Sequence, residues 1–239
     1  MRGRRSVQVA LDTHDLDHAM TVAYAAAAAG MDFIEVGDPL IKMVGLVAVE
    51  RIKRHVPDMT VVAEMMSADW GRDQVVLAAE VGADVVFLIG PATVASVSAA
   101  VDAGRRLGVP ILLDVPTRHA SQQWVRDMER AGVDGFAVTT NIDLGVGGRP
   151  PLANARVIRE RTWLPVAVSG GFSASDYSII ESADWDILIV GRSVTEAVEP
   201  GVAANRLARL VHGRTKELDD RDGAQAGADS AGAASDGAR

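Results

Sequence analysis

Eight short apolar runs alternate with longer helical stretches along this chain, and that alternation restricts the fold more than any other feature. The runs are Val7–Leu11, Phe33–Val36, Val61–Met65, Asp84–Ile89, Pro110–Val115, Gly135–Thr139, Pro165–Val168 and Ile187–Val190. Each is rich in Val, Ile, Leu or Phe, as strands buried on both faces of a parallel sheet require. Between them the pattern predicts helices, among them Asp15–Ala29, Gly45–His55, Gln74–Val81, Ala92–Arg106, Ser121–Ala131 and Ala197–Val211. Gly30-Met31-Asp32, Gly82-Ala83-Asp84 and Gly132-Val133-Asp134 close helices before the next strand, with glycine as the left-handed cap. Eight β-then-α units predict a single-domain (βα)8 TIM barrel of the α/β class. A doubly wound open sheet is the alternative, disfavoured because the eighth unit is complete.

A chain of 239 residues with 48% hydrophobic content can bury one large core. Residues 1–6 read as a basic extension, 7–214 as the barrel, and 215–239 as a disordered tail. The tail from Gly223 onward is almost entirely Ala, Gly, Asp and Ser, and cannot offset its ordering entropy. The net charge of −8 argues against nucleic-acid or anionic-membrane partners. The absence of cysteine excludes disulfides and thiolate chemistry. No signal-like segment and no apolar run of about 18 residues is present, so a cytoplasmic protein is expected.

In a barrel the chemistry belongs at the C-terminal ends of the strands. Asp12 follows strand one, Glu35 lies in strand two, Glu64 lies in strand three with Asp69 five residues on, and Asp114 lies in strand five. One such acid is commonly a helix cap. Several converging on one mouth need a cation, a shared proton or a partner base. Oxygen donors of this kind suit a hard ion such as Mg2+. Strands seven and eight run into Val168-Ser169-Gly170-Gly171 and Val190-Gly191-Arg192. Glycine loops at these positions form the common barrel phosphate site, and Arg192 adds a charge-assisted donor.

These segments, with Val9-Ala10-Leu11-Asp12 and Glu35-Val36-Gly37-Asp38-Pro39-Leu40-Ile41-Lys42, carry a resemblance across residues 7–212. The chain resembles the 3-hexulose-6-phosphate synthases and 3-keto-L-gulonate-6-phosphate decarboxylases of the orotidine-monophosphate decarboxylase superfamily. The resemblance implies a homodimer with shared active sites, acting on a phosphorylated ketose through a metal-stabilised enediolate. It implies that Glu35 and Glu64 hold Mg2+, that Asp69 reaches the neighbouring site, and that Asp12 contacts substrate hydroxyls. Gly170, Gly171, Gly191 and Arg192 would bind phosphate, with Lys42, Asp114, Thr139 and Ser169 facing the substrate.

The chain departs from that family at its centre. The motif Asp-x-Lys-x-x-Asp reads Glu64-x-Met66-x-x-Asp69, and Thr139 occupies the place of a histidine. Both usual proton carriers are therefore replaced. His14, after strand one, and His119, after strand five beside Arg118, are expected at the catalytic face as replacements. Trp70 stands where the family has a small residue, either narrowing the site or filling the dimer interface. The reading is a metal-dependent lyase or aldolase on a ketose phosphate, with little synthesis of hexulose 6-phosphate from formaldehyde. The alternatives are a ketose-phosphate isomerase or epimerase, and a non-catalytic sugar-phosphate-binding protein.

Overall fold

The computed structural model describes residues 5–115, 121–140 and 151–213. Eight parallel strands form a closed barrel in sequential order, β1 to β8. They are β1 (Ser6–Leu11), β2 (Phe33–Val36), β3 (Thr60–Glu64), β4 (Val85–Ile89), β5 (Ile111–Asp114), β6 (Gly135–Thr139), β7 (Val166–Ser169) and β8 (Ile187–Val190). The helices are α1 (Leu16–Ala28), α2 (Asp38–Val44), α3 (Val47–His55), α4 (Gly71–Glu80), α5 (Val94–Leu107), α6 (Gln122–Ala131), α7 (Pro151–Arg159), α8 (Tyr177–Ile180), α9 (Arg192–Thr195), and α10, residues 200–213. The β1–β8 pairing closes the barrel and excludes the open sheet.

Alternation along each strand divides the apolar residues between two cores. Val7, Val9, Leu11, Ile34, Val36, Val61 and Ala63 join the large outer cluster beneath the helices. Ala10, Val62, Val85, Phe87, Leu112, Ala137, Ala167, Ile187 and Ile189 fill the barrel interior. The inward phase of β1 runs through Gln8, Ala10 and Asp12, and that of β2 through Phe33 and Glu35. In β3, β5, β6 and β7 the same phase ends at Glu64, Asp114, Thr139 and Ser169. Period two therefore delivers polar residues to the top of the interior.

The floor has its own repeat. Asp32, Asp84, Asp134 and Asp186 each accept the amide of the first or second residue of the preceding strand. The pairs are Val7 N to Asp32 at 2.9 Å, Val61 N to Asp84 at 2.7 Å, Ile111 N to Asp134 at 2.8 Å, and Val166 N to Asp186 at 2.9 Å. Each aspartate also donates its own amide to the carbonyl of that same residue, at 2.8–3.0 Å. The device links β1 to β2, β3 to β4, β5 to β6 and β7 to β8. The Gly-x-Asp triplets thus do two jobs. The glycines cap helices with φ of 81°, 94° and 95°, and the aspartates lock strand starts.

Several boundaries differ from expectation. β1 begins at Ser6, whose amide donates to the Asp186 carbonyl. Arg5 is buried, lies 4.4 Å over the Trp185 ring, and donates to the Ile180 carbonyl at 2.6 Å. It belongs to the barrel floor rather than to an extension. The segment after β2 folds as α2, because Pro39 sits in its first turn, where a missing amide costs nothing. α4 starts at Gly71, earlier than the apolar pattern indicated. Among the described residues, no helix is long and apolar enough to cross a membrane.

Candidate active site

The acids expected at the mouth do converge there. Glu35 is buried to 4% exposure and accepts from the Gln8 amide nitrogen at 2.5 Å. Glu64, one strand over, accepts the Asp38 backbone amide at 2.7 Å. Asp12 stands between the β2 and β8 ends. A Cβ on Gly37 would lie 2.1 Å from one of its oxygens, and a Cβ on Gly191 would lie 3.7 Å from the other. Gly37 is thus required for close approach, not for turn geometry. Asp114 carries one buried oxygen without a hydrogen-bond partner.

Their ionisation reflects crowding. Burial pushes Glu35 well above the usual carboxylate range, and the charges of Glu64, Asp12 and Asp114 act the same way against the Gln8 bond. Burial raises Glu64 to about 7, opposed by the Asp38 amide and reinforced by Asp12, Asp38 and Asp114. Burial lifts Asp114 to about 6, opposed by hydrogen bonds from Thr139 and the Val115 amide. Asp12 keeps solvent access at the mouth, yet the burial of its inner side and then Asp38 raise it, while Arg192 pulls the other way. At Glu35 and Glu64 the neighbouring acids add to burial, so each raises the cost of ionising the next.

Two carboxylates on adjacent strands suit Mg2+, which typically takes one or two protein carboxylates and retains several waters. The hydrogen bonds from Gln8 and Asp38 each engage a single oxygen of Glu35 and Glu64. Among the described residues, no three His, Cys, Asp or Glu side chains are disposed to hold a metal by themselves. The donor set therefore fits an ion completed by water and substrate oxygens rather than a fully caged one.

The residues expected to bind phosphate also come together. Gly171 has φ 72°, and an Arg192 guanidinium nitrogen lies 3.9 Å from where its Cβ would be. Arg192 is exposed, Gly170 and Ser169 are half-buried, and Gly191 caps α9. Thr139, paired in register with Ser169, is exposed at the end of β6.

Other expected residues are placed less centrally. Lys42 is exposed on α2 and bonds Asp38 at 2.8 Å, and that bond raises its pKa. It sits next to the residue that holds Glu64. Asp69 is exposed in the loop after β3, and His14 is exposed in the loop after β1. His119 and Arg118 lie outside the described residues. A depression of about 460 Å3 lined by Asp17, Met20, Thr21, Tyr24 and His55 opens on the outer helical layer and contains none of these groups.

Sequence reasoning missed Gln8, Gly37 and Asp38. Gln8 had a signal: a polar residue in an apolar strand, in phase with Asp12. Asp38 had one too, four residues before Lys42. Gly37 had none, because only the folded barrel brings Asp12 beside it.

Comparison with known proteins agrees with this fold. Residues 5–207 match the family described as orotidine 5'-phosphate decarboxylase / HUMPS family. A 3-hexulose-6-phosphate synthase 2 of Staphylococcus saprophyticus is 31% identical over 187 residues, 78% of this chain and 88% of that protein. A 3-hexulose-6-phosphate synthase of Staphylococcus epidermidis is 29% identical over 87% of this chain and 99% of its own length. Among solved structures, KGPDC from Streptococcus mutans in complex with D-R5P superposes with a TM-score of 0.80. It is 27% identical and covers 87% of this chain and 97% of its own. The 3-hexulose-6-phosphate synthase from Salmonella typhimurium gives 0.78 at 28% identity, over 86% of this chain and 98% of its own.

Proposed function

This chain belongs to the orotidine 5'-phosphate decarboxylase / HUMPS family, and on that premise we propose that it is a metal-dependent carbon–carbon lyase acting on a phosphorylated ketose, by aldol or retro-aldol chemistry. One observation carries the reading: a ring of acids with raised pKa values at the mouth, with Arg192 over Gly171 at the β7–β8 side. Similarity to hexulose-phosphate synthases and to a KGPDC structure supports the sugar-phosphate class.

Glu35 and Glu64 are assigned to Mg2+, with Gln8 and the Asp38 amide fixing their orientation. The ion, when bound, supplies Lewis-acid polarisation of the ketose oxygens. Gly170, Gly171, Gly191 and Arg192 grip the phosphate, and Ser169 and Thr139 border it. Asp12 and Asp114 are assigned to substrate hydroxyls, and Lys42 neutralises charge at the rim. Met66 cannot stabilise a departing carboxylate or carry a proton, which favours aldol-type cleavage over decarboxylation. His14, exposed beside the mouth, is the candidate proton carrier. The protein is further assigned as a homodimer in which Asp69 reaches the partner's site. Light scattering that gives a monomer mass at micromolar concentration would contradict this assembly.

The test is turnover of ketose phosphates with and without EDTA. Expected is Mg2+-dependent cleavage or condensation, abolished in Glu35→Gln. Full activity in excess EDTA removes the metal from the reading. A second reading, a ketose-phosphate-binding protein without turnover, is favoured by Met66 and Thr139 standing where proton carriers are expected. Calorimetric binding of ribulose 5-phosphate with no turnover of any ketose phosphate selects it.

A further inference from the structure

In a closed barrel of eight sequential strands, β3 and β7 stand on opposite sides of the mouth. A ligand held by phosphate at Gly171 and Arg192 therefore extends toward the loop after β3, residues 65–70. That loop is unusual. Met66 and Trp70 are its two large side chains open to solvent, 37% and 70% exposed. Met66 belongs to neither hydrophobic cluster, so it is not a core residue displaced to the rim.

Both residues adopt left-handed backbone, φ 45° for Met66 and 56° for Trp70, the two non-glycine cases among the described residues. Side chains rarely take that conformation without a compensating gain. The loop is also fastened at its ends. The Met65 amide donates to the Phe87 carbonyl at 3.0 Å, and the Ser67 hydroxyl to the Met65 carbonyl at 3.0 Å. A Cβ on Gly71 would lie 2.1 Å from the Ser96 carbonyl oxygen, so α4 begins pressed against α5. Among the described residues, the strained, fastened loop presents a thioether and an indole that stay open to solvent. Their favourable contacts are apolar and flat groups. Neither carries a charge to pair with a carboxylate.

We propose that Met66 and Trp70 form an apolar edge that receives the aldehyde half of the reaction, so that the carbonyl partner is an aliphatic or aromatic aldehyde rather than formaldehyde. The inference rests on the aldol reading above. In the condensing direction, a C–H bond next to the ketose carbonyl breaks and its proton leaves. That carbon forms a C–C bond to the aldehyde carbon, and the aldehyde oxygen takes up one proton. No oxidant, reductant or net proton is required, and cleavage is the reverse.

The experiment condenses ribulose 5-phosphate with formaldehyde, propanal or benzaldehyde in the presence of Mg2+, with products identified by mass spectrometry. Expected is a kcat/KM for propanal or benzaldehyde at least about tenfold above that for formaldehyde. Trp70→Ala and Met66→Ala should each lower it about tenfold for the apolar aldehydes, leaving the KM for ribulose 5-phosphate unchanged; tenfold corresponds to about 1.4 kcal/mol. A preference for formaldehyde overturns the edge while leaving the aldol reading intact. Condensation with no aldehyde removes the aldol reading and the edge with it. Trp70→Ala that lowers the oligomeric mass but leaves the aldehyde profile unchanged assigns Trp70 to a protein interface and also overturns the proposal.

Discussion

The two ends of this barrel use acidic residues in opposite ways. At the floor, Asp32, Asp84, Asp134 and Asp186 each accept a strand amide. Three of them also meet a basic side chain: His212 at Asp32, Lys53 at Asp84 and Arg159 at Asp186. At the mouth, burial raises the pKa values of Asp12, Glu35, Glu64 and Asp114, and neighbouring acids add to it at Asp12, Glu35 and Glu64. Partnered carboxylates stabilise a fold, while crowded ones cost it stability. The contrast separates acids paired with strand amides from acids crowded against one another. It also matches the general division of barrels into a stabilising lower face and a reactive upper face.

The largest test of the contrast is at the floor. Asp186→Ala removes, at a position 4% exposed, the acceptor for Val166 and the partner of Arg159. The expected cost is about 3–5 kcal/mol, as for breaking a buried pair. Urea denaturation giving a loss below about 1 kcal/mol would erase the difference between the two ends.

The mouth makes the opposite forecast as pH changes. Glu64 goes from 4.5 in the unfolded chain to about 7 when folded, and Asp114 from 3.8 to about 6. Folding favours their protonated forms, so their contribution is full at low pH and lost as pH rises through 6 to 7. The metal-free protein should therefore lose stability, on the order of a few kcal/mol, between about pH 4.5 and pH 7. Glu64→Gln should flatten that fall, and Mg2+ should oppose it. Melting temperatures that stay level or climb across this range in the metal-free wild type would break the account.

Arg192 sharpens the division within the mouth itself. Arg192→Ala should weaken ribulose 5-phosphate binding by roughly 1.5–3 kcal/mol, the worth of a charge-assisted hydrogen bond. Its thermal unfolding should hardly move, because the side chain is exposed. Unchanged calorimetric affinity removes Arg192 from the phosphate site. The smallest stability effect is expected at Asp69, also exposed. Asp69→Asn should stay within about 0.5 kcal/mol of wild type in denaturation, while turnover falls. Normal turnover would remove Asp69 from the catalytic set.

Much of the mouth was legible because strands have period two. Asp12, Glu35, Glu64, Asp114, Thr139 and Ser169 fall in the inward phase at strand ends, and a sequence displays that phase directly. The paired Gly171 and Arg192 were legible because loops after strands seven and eight have a fixed place in this architecture. Asp32, Asp84 and Asp134 were seen only as parts of helix caps, and Asp186 was not singled out. Their bonds run to the preceding strand, 20 to 25 residues back, and no local pattern reveals such a partner. α2 was missed because Asp38–Val44 is short and follows a glycine–aspartate–proline segment that also reads as a turn.

By itself the sequence determined the eight units, the sheet's burial on both faces, and the polar residues at the strand ends. Those follow from hydrophobic period and from turn residues, which act over a few positions. The tertiary structure alone decided that Gly37 must lack a side chain beside Asp12, that Gln8 reaches Glu35, and that Met66 and Trp70 stand in left-handed backbone. These depend on barrel closure, which brings residues distant in the chain within a few ångströms of one another. Only at that range do sterics and charge decide what a side chain does.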